Sequence, residues 1–315
     1  MDEFALIARY FSPLGDAGAD ILCAIGDDAA LIEPTAGRLA VVIDTLVEGV
    51  HFPSSITPAD LGFRAAAVNL SDLAAMGARP RYATLALTLP SAEPAWLAAF
   101  AQGLGEALRP AGVALIGGDT TRGPLTVTVQ ILGLQDGPAM LRAGACVGDL
   151  VCVSGTLGDA RAALDSLDAP ARNPDVIEFA RRYFRPQARL ELGLALGTFA
   201  HAAIDISDGL IADLGHIAAA SGIAIDIELE RLPLSAALSR HYPRNTALAY
   251  AAGGGDDYEL AFTLAPEHLA AAQAAAAACA VPITVIGAAT VGRGVRCLAD
   301  DGRDRAAEFC GFRHF

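Results

Sequence analysis

Short apolar runs that end in Gly or Asp alternate along this chain with stretches of helical period. Residues 21–25 and 39–43 are apolar, and the second run leads straight into Asp44; both predict strands. A helix is predicted next: Thr57 suits its cap, Pro58 its first turn, and Asp60 stands three residues after the cap. Its pattern continues to about Met76, with Gly77 as the stop. Residues 82–89 predict a strand, Ser91 is expected to cap a helix that Pro110 ends, and residues 113–116 and 125–134 predict two more strands. Gln135-Asp136-Gly137-Pro138 is the best candidate linker.

The pattern then restarts. Residues 150–153, 202–206, 223–229, 259–264, 283–286 and 295–298 predict strands, and residues 174–183, 186–199 and 210–220 predict helices. The Ala-rich stretch 270–280 is interrupted by Gln273 and reads as a packed helix. Several strands alternate polar and apolar residues, which fits sheets with one face under helices. The expected fold class is therefore α+β, with two α/β-sandwich-type domains over residues 1–138 and 139–315.

Composition narrows the function. The chain has 315 residues, 53% of them hydrophobic, and a formal net charge of -14, which argues against a nucleic-acid backbone or an anionic membrane as partner. All 22 basic residues are arginine. A Schiff-base lysine, a P-loop lysine and a kinase strand lysine are thereby excluded, and phosphate must be met by metals, arginine or backbone N–H groups. Cys23, Cys146, Cys152, Cys279, Cys297 and Cys310 form no C-x-x-C pair, and no signal-peptide pattern is seen. Reduced thiols buried as small hydrophobes and a cytoplasmic location are the expectation.

The candidate chemistry lies in acids set against glycine or small residues: Gly26-Asp27-Asp28, Asp44, Asp72, Gly117-Gly118-Asp119, Asp205-Ile206-Ser207-Asp208 and Gly253-Gly254-Gly255-Asp256-Asp257. Carboxylates gathered at one end of a sheet repel each other unless cations sit between them, and Mg2+ that also binds substrate phosphates is the simplest choice. Each motif has a plainer reading. Gly26-Asp27-Asp28 and residues 117–119 also read as turns, Ser207 or Asp208 as a helix cap, and residues 253–257 as a flexible hinge. Asn69 and Asp72 share a face of an apolar helix. His51 has no partner at metal-site spacing and reads as structural.

Together these segments resemble the thiamine-monophosphate kinase family, nearly end to end. The resemblance is carried by Ile25-Gly26-Asp27-Asp28, Asp44-Thr45-Leu46-Val47, Gly49-Val50-His51-Phe52, residues 69–78 (Asn-Leu-Ser-Asp-Leu-Ala-Ala-Met-Gly-Ala), residues 117–123 (Gly-Gly-Asp-Thr-Thr-Arg-Gly), residues 204–210 (Ile-Asp-Ile-Ser-Asp-Gly-Leu) and Asp257-Tyr258-Glu259-Leu260. It implies direct in-line transfer of the γ-phosphoryl of ATP to thiamine monophosphate, assisted by several Mg2+ ions. It also implies a homodimer whose N-terminal sheets pair into a β-barrel. By motif, Asp28, Asp44, Asp72, Asp119, Asp205 and Asp208 correspond to metal ligands. Gly118, Asp119, Arg142 and Ser207 correspond to nucleotide contacts, and His51, Asp256 and Phe312 to contacts with the thiamine substrate. Asp72, Asp119, Asp208 and Arg142 are the expected catalytic set. Val42 and Ile43 stand where hydroxyl residues are frequent in the family, and Asp256 where Glu is common. Another ATP-dependent synthetase of the aminoimidazole ribonucleotide synthetase superfamily is the alternative.

Overall fold

The computed structural model describes residues 6–15, 20–23, 25, 30–33, 37–167, 173–309 and 311. The chain divides into two compact units, one comprising Met1–Leu73 and Ala78–Asp136, the other Ala74–Gly77 and Gly137–Phe315. Each unit has its own sheet, so the fold is mixed α/β with two sheet-containing domains.

The first unit holds a pair of antiparallel strands, the hairpin β1 (Ile21–Cys23) and β2 (Leu31–Ile32), then β3 (Arg38–Val47), helix α1 (Pro58–Met76) as far as Leu73, β4 (Arg79–Leu89), helix α2 (Pro94–Leu108), β5 (Ala114–Arg122) and β6 (Thr126–Gln135). Helix α1 starts as its sequence predicts. Thr57 Oγ1 accepts from the Asp60 N–H at 3.1 Å and donates to the Asp60 carboxylate at 2.7 Å, and Gly77 closes the helix with φ of 64°. Helix α2 differs: its cap is Glu93 without a side-chain bond, Pro94 takes the first position, and Ser91 plays no part. The sheet runs β3-β6-β4-β5, antiparallel except for the β4–β5 pair. On β6, buried and half-buried residues alternate through ten positions, so one face is covered and the other is more open. Ile21 and Ile32 of the hairpin pack on the second face against Tyr82, Ala114 and Ile116.

Two expectations fail here. The strand predicted over residues 39–43 does not end at Asp44. Strand β3 is an edge strand, Leu39, Val41 and Ile43 are 53%, 53% and 60% exposed, and Asp44 lies inside the strand. The strand predicted over residues 113–116 does not stop before the glycines either: β5 continues through residues 117–119 to Arg122, which also removes the plainer turn reading. A Cβ on Gly118 would lie 2.0 Å from the Leu85 carbonyl oxygen. The bare backbone at that position therefore lets β4 and β5 pair at close approach.

The second unit carries β7 (Leu150–Ser154), α3 (Asp159–Asp165), α4 (Pro174–Phe184), α5 (Leu190–Leu196), β8 (Ala200–Asp205), α6 (Leu210–Ser221), β9 (Ala224–Glu228), α7 (Ala236–His241), α8 (Arg244–Gly253), β10 (Leu260–Leu264), α9 (Leu269–Ala278), β11 (Ile283–Thr290) and β12 (Gly294–Leu298). Its six strands run β12-β9-β11-β7-β10-β8, antiparallel except for β12–β9. Unlike the one-sided expectation, both faces of this sheet are covered. Val151 and Val153 of β7 pack with Leu210, Leu214 and Ile217 of α6, while Cys152 packs with Leu192 and Leu196 of α5 and Ala272 of α9. Strand β10 is buried at all five positions for the same reason.

The cysteines do not share one role. Cys152 and Cys297 are buried, and burial pushes their thiols up to about 12 and about 11. Cys146 is exposed, contrary to the expectation of a buried hydrophobe. Among the described residues, no helix is long and apolar enough to cross a membrane.

Candidate active site

In the first unit, two acids meet. Asp44 on β3 and Asp72 on α1 share a side-chain hydrogen bond, although both would carry charge at neutral pH in water. Burial raises the Asp44 pKa, and the contact with Asp72 and the charge of His51 offset that rise only in part. Two carboxyl groups in contact need a shared proton or a cation between them, which fits a hard dication. His51 lies in the turn after β3, where the Val47 N–H donates to its Nδ1 at 3.0 Å and the His51 N–H donates to the Val47 carbonyl at 2.9 Å. With Nδ1 accepting, the neutral ring carries its proton on Nε2, and the charged ring keeps one there.

Asp119 belongs to a different surface. The register pairs Asp44 with Val129 in the buried row of β6, but pairs Asp119 with Ala86 and Ala86 with Thr128 in the other row. The Thr88–Thr121 and Thr45–Thr128 hydroxyl pairs, at 3.0 and 2.8 Å, mark the same open face. Asp44 and Asp119 thus occupy opposite faces of one sheet. Asp28 and Phe312 lie outside the described residues.

In the second unit, β8 delivers Asp205, which is buried, and the turn into α6 delivers Ser207 and Asp208. The helix cap is neither of these. Gly209 holds that position without a side-chain bond, and one carboxylate oxygen of Asp213 accepts the N–H groups of Ser207, Asp208 and Gly209 at 3.1, 3.1 and 3.0 Å. Burial raises the Asp213 pKa to about 7, assisted by the charges of Asp205 and Asp208 and opposed by these hydrogen bonds. Three acids thus crowd one turn, which again fits a dication. Asp213 escaped the sequence reading; its signal is an acid in the first turn of a helix whose start lacks a capping side chain.

Residues 253–259 are not a flexible hinge. The Asp256 and Tyr258 N–H groups donate to the Ser207 and Ile206 carbonyls at 2.8 and 2.9 Å, and a Cβ on Gly255 would lie 2.4 Å from the Ser207 oxygen. Asp256 and Tyr258 hold φ values of 67° and 50°, a region non-glycine residues rarely occupy, and the Tyr258 hydroxyl donates to Asp256 at 3.1 Å. Glu259, 1% exposed, anchors the segment. It accepts from Ser154 Oγ at 2.6 Å, from Arg182 at 3.0 Å and from both Arg189 Nε, at 2.7 Å, and Nη2. Burial pushes its pKa up, but the bonds and charges of Arg189 and Arg182 outweigh burial and leave it lowered. Asp256 is therefore carried on a segment fixed at both ends. Arg142 lies on the exposed connection before β7, its carbonyl accepting from Ser221 Oγ at 3.3 Å.

Residues 26–135 match the family described as AIR synthase related protein, N-terminal domain, and residues 147–299 match its C-terminal domain. The thiamine-monophosphate kinase of Escherichia coli K12 is 46% identical over 320 aligned residues, covering 99% of this chain and 98% of that protein. The chain belongs to the thiamine-monophosphate kinase family. A crystal structure of thiamine-monophosphate kinase from Stenotrophomonas maltophilia K279a superimposes with a TM-score of 0.89 at 46% identity, covering 96% of this chain and 98% of that one. A second solved structure of the kinase family, AaThiL complexed with AMPPCP and TMP, gives a TM-score of 0.81 at 35% identity, covering 99% and 97% of the two chains.

Proposed function

We infer that this chain transfers the γ-phosphoryl group of ATP to the phosphate of thiamine monophosphate, giving ADP and thiamine diphosphate. The observation that carries this reading is the match over 99% of the chain to a kinase of that name. A related structure holding an ATP analogue and TMP together supports it.

The acceptor is a phosphate monoester with a second pKa of about 6, so it is already a dianion near neutral pH and needs no general base. The barrier is then repulsion between two polyanions plus their alignment. When bound, Mg2+ would lower that repulsion by neutralising phosphate charge. Asp44 and Asp72 would hold ions at one face of the first sheet, Asp119 a separate ion at the other, with Asp28 as a further ligand. Asp205 and Asp208 would serve in the second unit, on a turn that Asp213 fixes. Gly118, Asp119, Ser207 and Arg142 are assigned to the nucleotide, Arg142 adding positive charge at its phosphates. His51 Nε2–H is a donor suited to the thiamine substrate, and Asp256, on its fixed segment, an acceptor for it; Phe312 completes that set. Transfer is direct and in line.

Exposed apolar residues on edge strand β3 (Leu39, Val41 and Ile43) support a homodimer in which two such sheets close a β-barrel and bury these side chains. A cytoplasmic setting suits the ATP requirement. The direct test is incubation with Mg-ATP and thiamine monophosphate. ADP and thiamine diphosphate should form in equal amounts; no diphosphate above an enzyme-free control overturns the reading.

A further inference from the structure

Cys146, Asp149 and His201 form a cluster that phosphoryl transfer does not use. One ligand atom of each (thiol sulfur, carboxylate oxygen and ring nitrogen) lies within 4.8 Å of the other two. Asp149 is the buried base of the group, at 3% exposure, while Cys146 and His201 are exposed. The turn before β7 sets the geometry. The Cys146 N–H donates to Asp149 Oδ2 at 2.8 Å, the Asp149 N–H donates to the Cys146 carbonyl at 3.0 Å, and His201 Nδ1 on edge strand β8 lies 2.9 and 3.0 Å from the two Asp149 oxygens. Backbone bonds therefore hold the spacing of thiol and carboxylate, and strand β8 supplies the imidazole.

We propose that these three side chains bind a first-row transition dication, Zn2+ in particular, in a site separate from the Mg2+-type acids. A thiolate with an imidazole and one carboxylate is a borderline-soft donor set that selects Zn2+ or Co2+ over Mg2+. Metal–ligand bonds of about 2.0–2.3 Å in a tetrahedron place neighbouring ligand atoms about 3.3–3.5 Å apart. Small movements of two exposed side chains reach that spacing from the present one. Three protein ligands leave a fourth position for water. Binding releases the thiol proton to solvent, so affinity rises with pH. The bound ion ties the turn that follows Arg142 to strand β8. The proposal is independent of the kinase reading.

Co2+ titration of the reduced full-length protein, with excess Mg2+ present to occupy the hard acidic sites, tests it. The expected result is one equivalent of Co2+ bound, with thiolate-to-cobalt charge-transfer absorption in the near ultraviolet that Zn2+ displaces and further Mg2+ does not. Cys146→Ser, which keeps every backbone bond of the turn, should abolish that absorption, and His201→Ala should weaken binding by at least about tenfold. The absence of a charge-transfer band in the wild type, its survival in Cys146→Ser, or unchanged affinity in His201→Ala would each overturn the proposal and leave Asp149 as a turn-closing residue only.

Discussion

Glu259→Gln isolates the charge that fixes the Asp256 segment. Gln keeps the size of the side chain and an acceptor for Ser154, but removes the anion facing Arg182 and Arg189, whose side chains are only 10% and 14% exposed. Removing one partner of a buried ion pair costs about 3–5 kcal/mol, because the remaining charge stays buried. Arg182 keeps a second acid, Asp159, at 3.8 Å, so the lower end, about 3 kcal/mol, applies. At about 2–4 °C per kcal/mol for a unit of this size, Tm should fall by about 6–12 °C in calorimetry or near-ultraviolet dichroism. The sign of the pH dependence follows from the lowered pKa of Glu259. Its stabilisation is present above the ordinary glutamate value of 4.5 and is lost as pH falls, so the gap between wild type and variant should narrow in acid. KM for thiamine monophosphate should rise, since Asp256 loses its fixed backbone. A Tm loss below about 2 °C, or a gap that widens in acid, would show that the ion pairs do not hold this segment.

Asp213, raised to about 7 from an ordinary 3.8, favours the protonated folded state, so its contribution is greatest below pH 3.8 and is lost as pH rises through about 7. Tm of the Mg2+-free protein should therefore decline across that window more steeply than Tm of Asp213→Asn, and equal slopes would refute the assignment. Gly118→Ala must push β5 away from the Leu85 carbonyl and should lower stability by about 1–3 kcal/mol in urea unfolding; no change would mean that the close approach is not needed. Ile43→Glu places a charge in the proposed barrel and should shift light-scattering mass from twice 32.3 kDa to 32.3 kDa, whereas an unchanged dimer would exclude that face.

Local signals in the sequence are legible at helix α1, though not at Ser91, where Glu93 takes the cap position of α2 instead. The Thr57–Asp60 cap and the Gly77 stop bound α1. Other differences arise from neighbours remote in sequence. The strand predicted to end at residue 116 runs on through residues 117–119 because β4 lies beside them, and residues 253–259 look like a hinge until residues 206 and 207 bond to them. Glu259 gave no sign of its importance, because its partners lie 70, 77 and 105 residues away. Helices α7 and α8 went unread although Ser235 caps the first by accepting from the Leu238 N–H at 2.9 Å. Their short apolar pattern is too weak to stand out from loop. Of the candidate site, the acids are legible as residue types, but Asp44 and Asp119 lie inside strands rather than at their ends, and their separation by a sheet face depends on register.

The central claim is that paired carboxylates hold the cations that let two phosphate groups approach. Its most direct measurement is thiamine diphosphate formation by Asp72→Asn across a Mg2+ titration, with Tm recorded alongside. Asn can still donate a hydrogen bond to Asp44 without a proton shared between two acids, so Tm should hold or rise while the rate falls at least about 100-fold and the Mg2+ requirement shifts to higher concentration. A variant that turns over at the wild-type rate with an unchanged Mg2+ dependence would contradict the account.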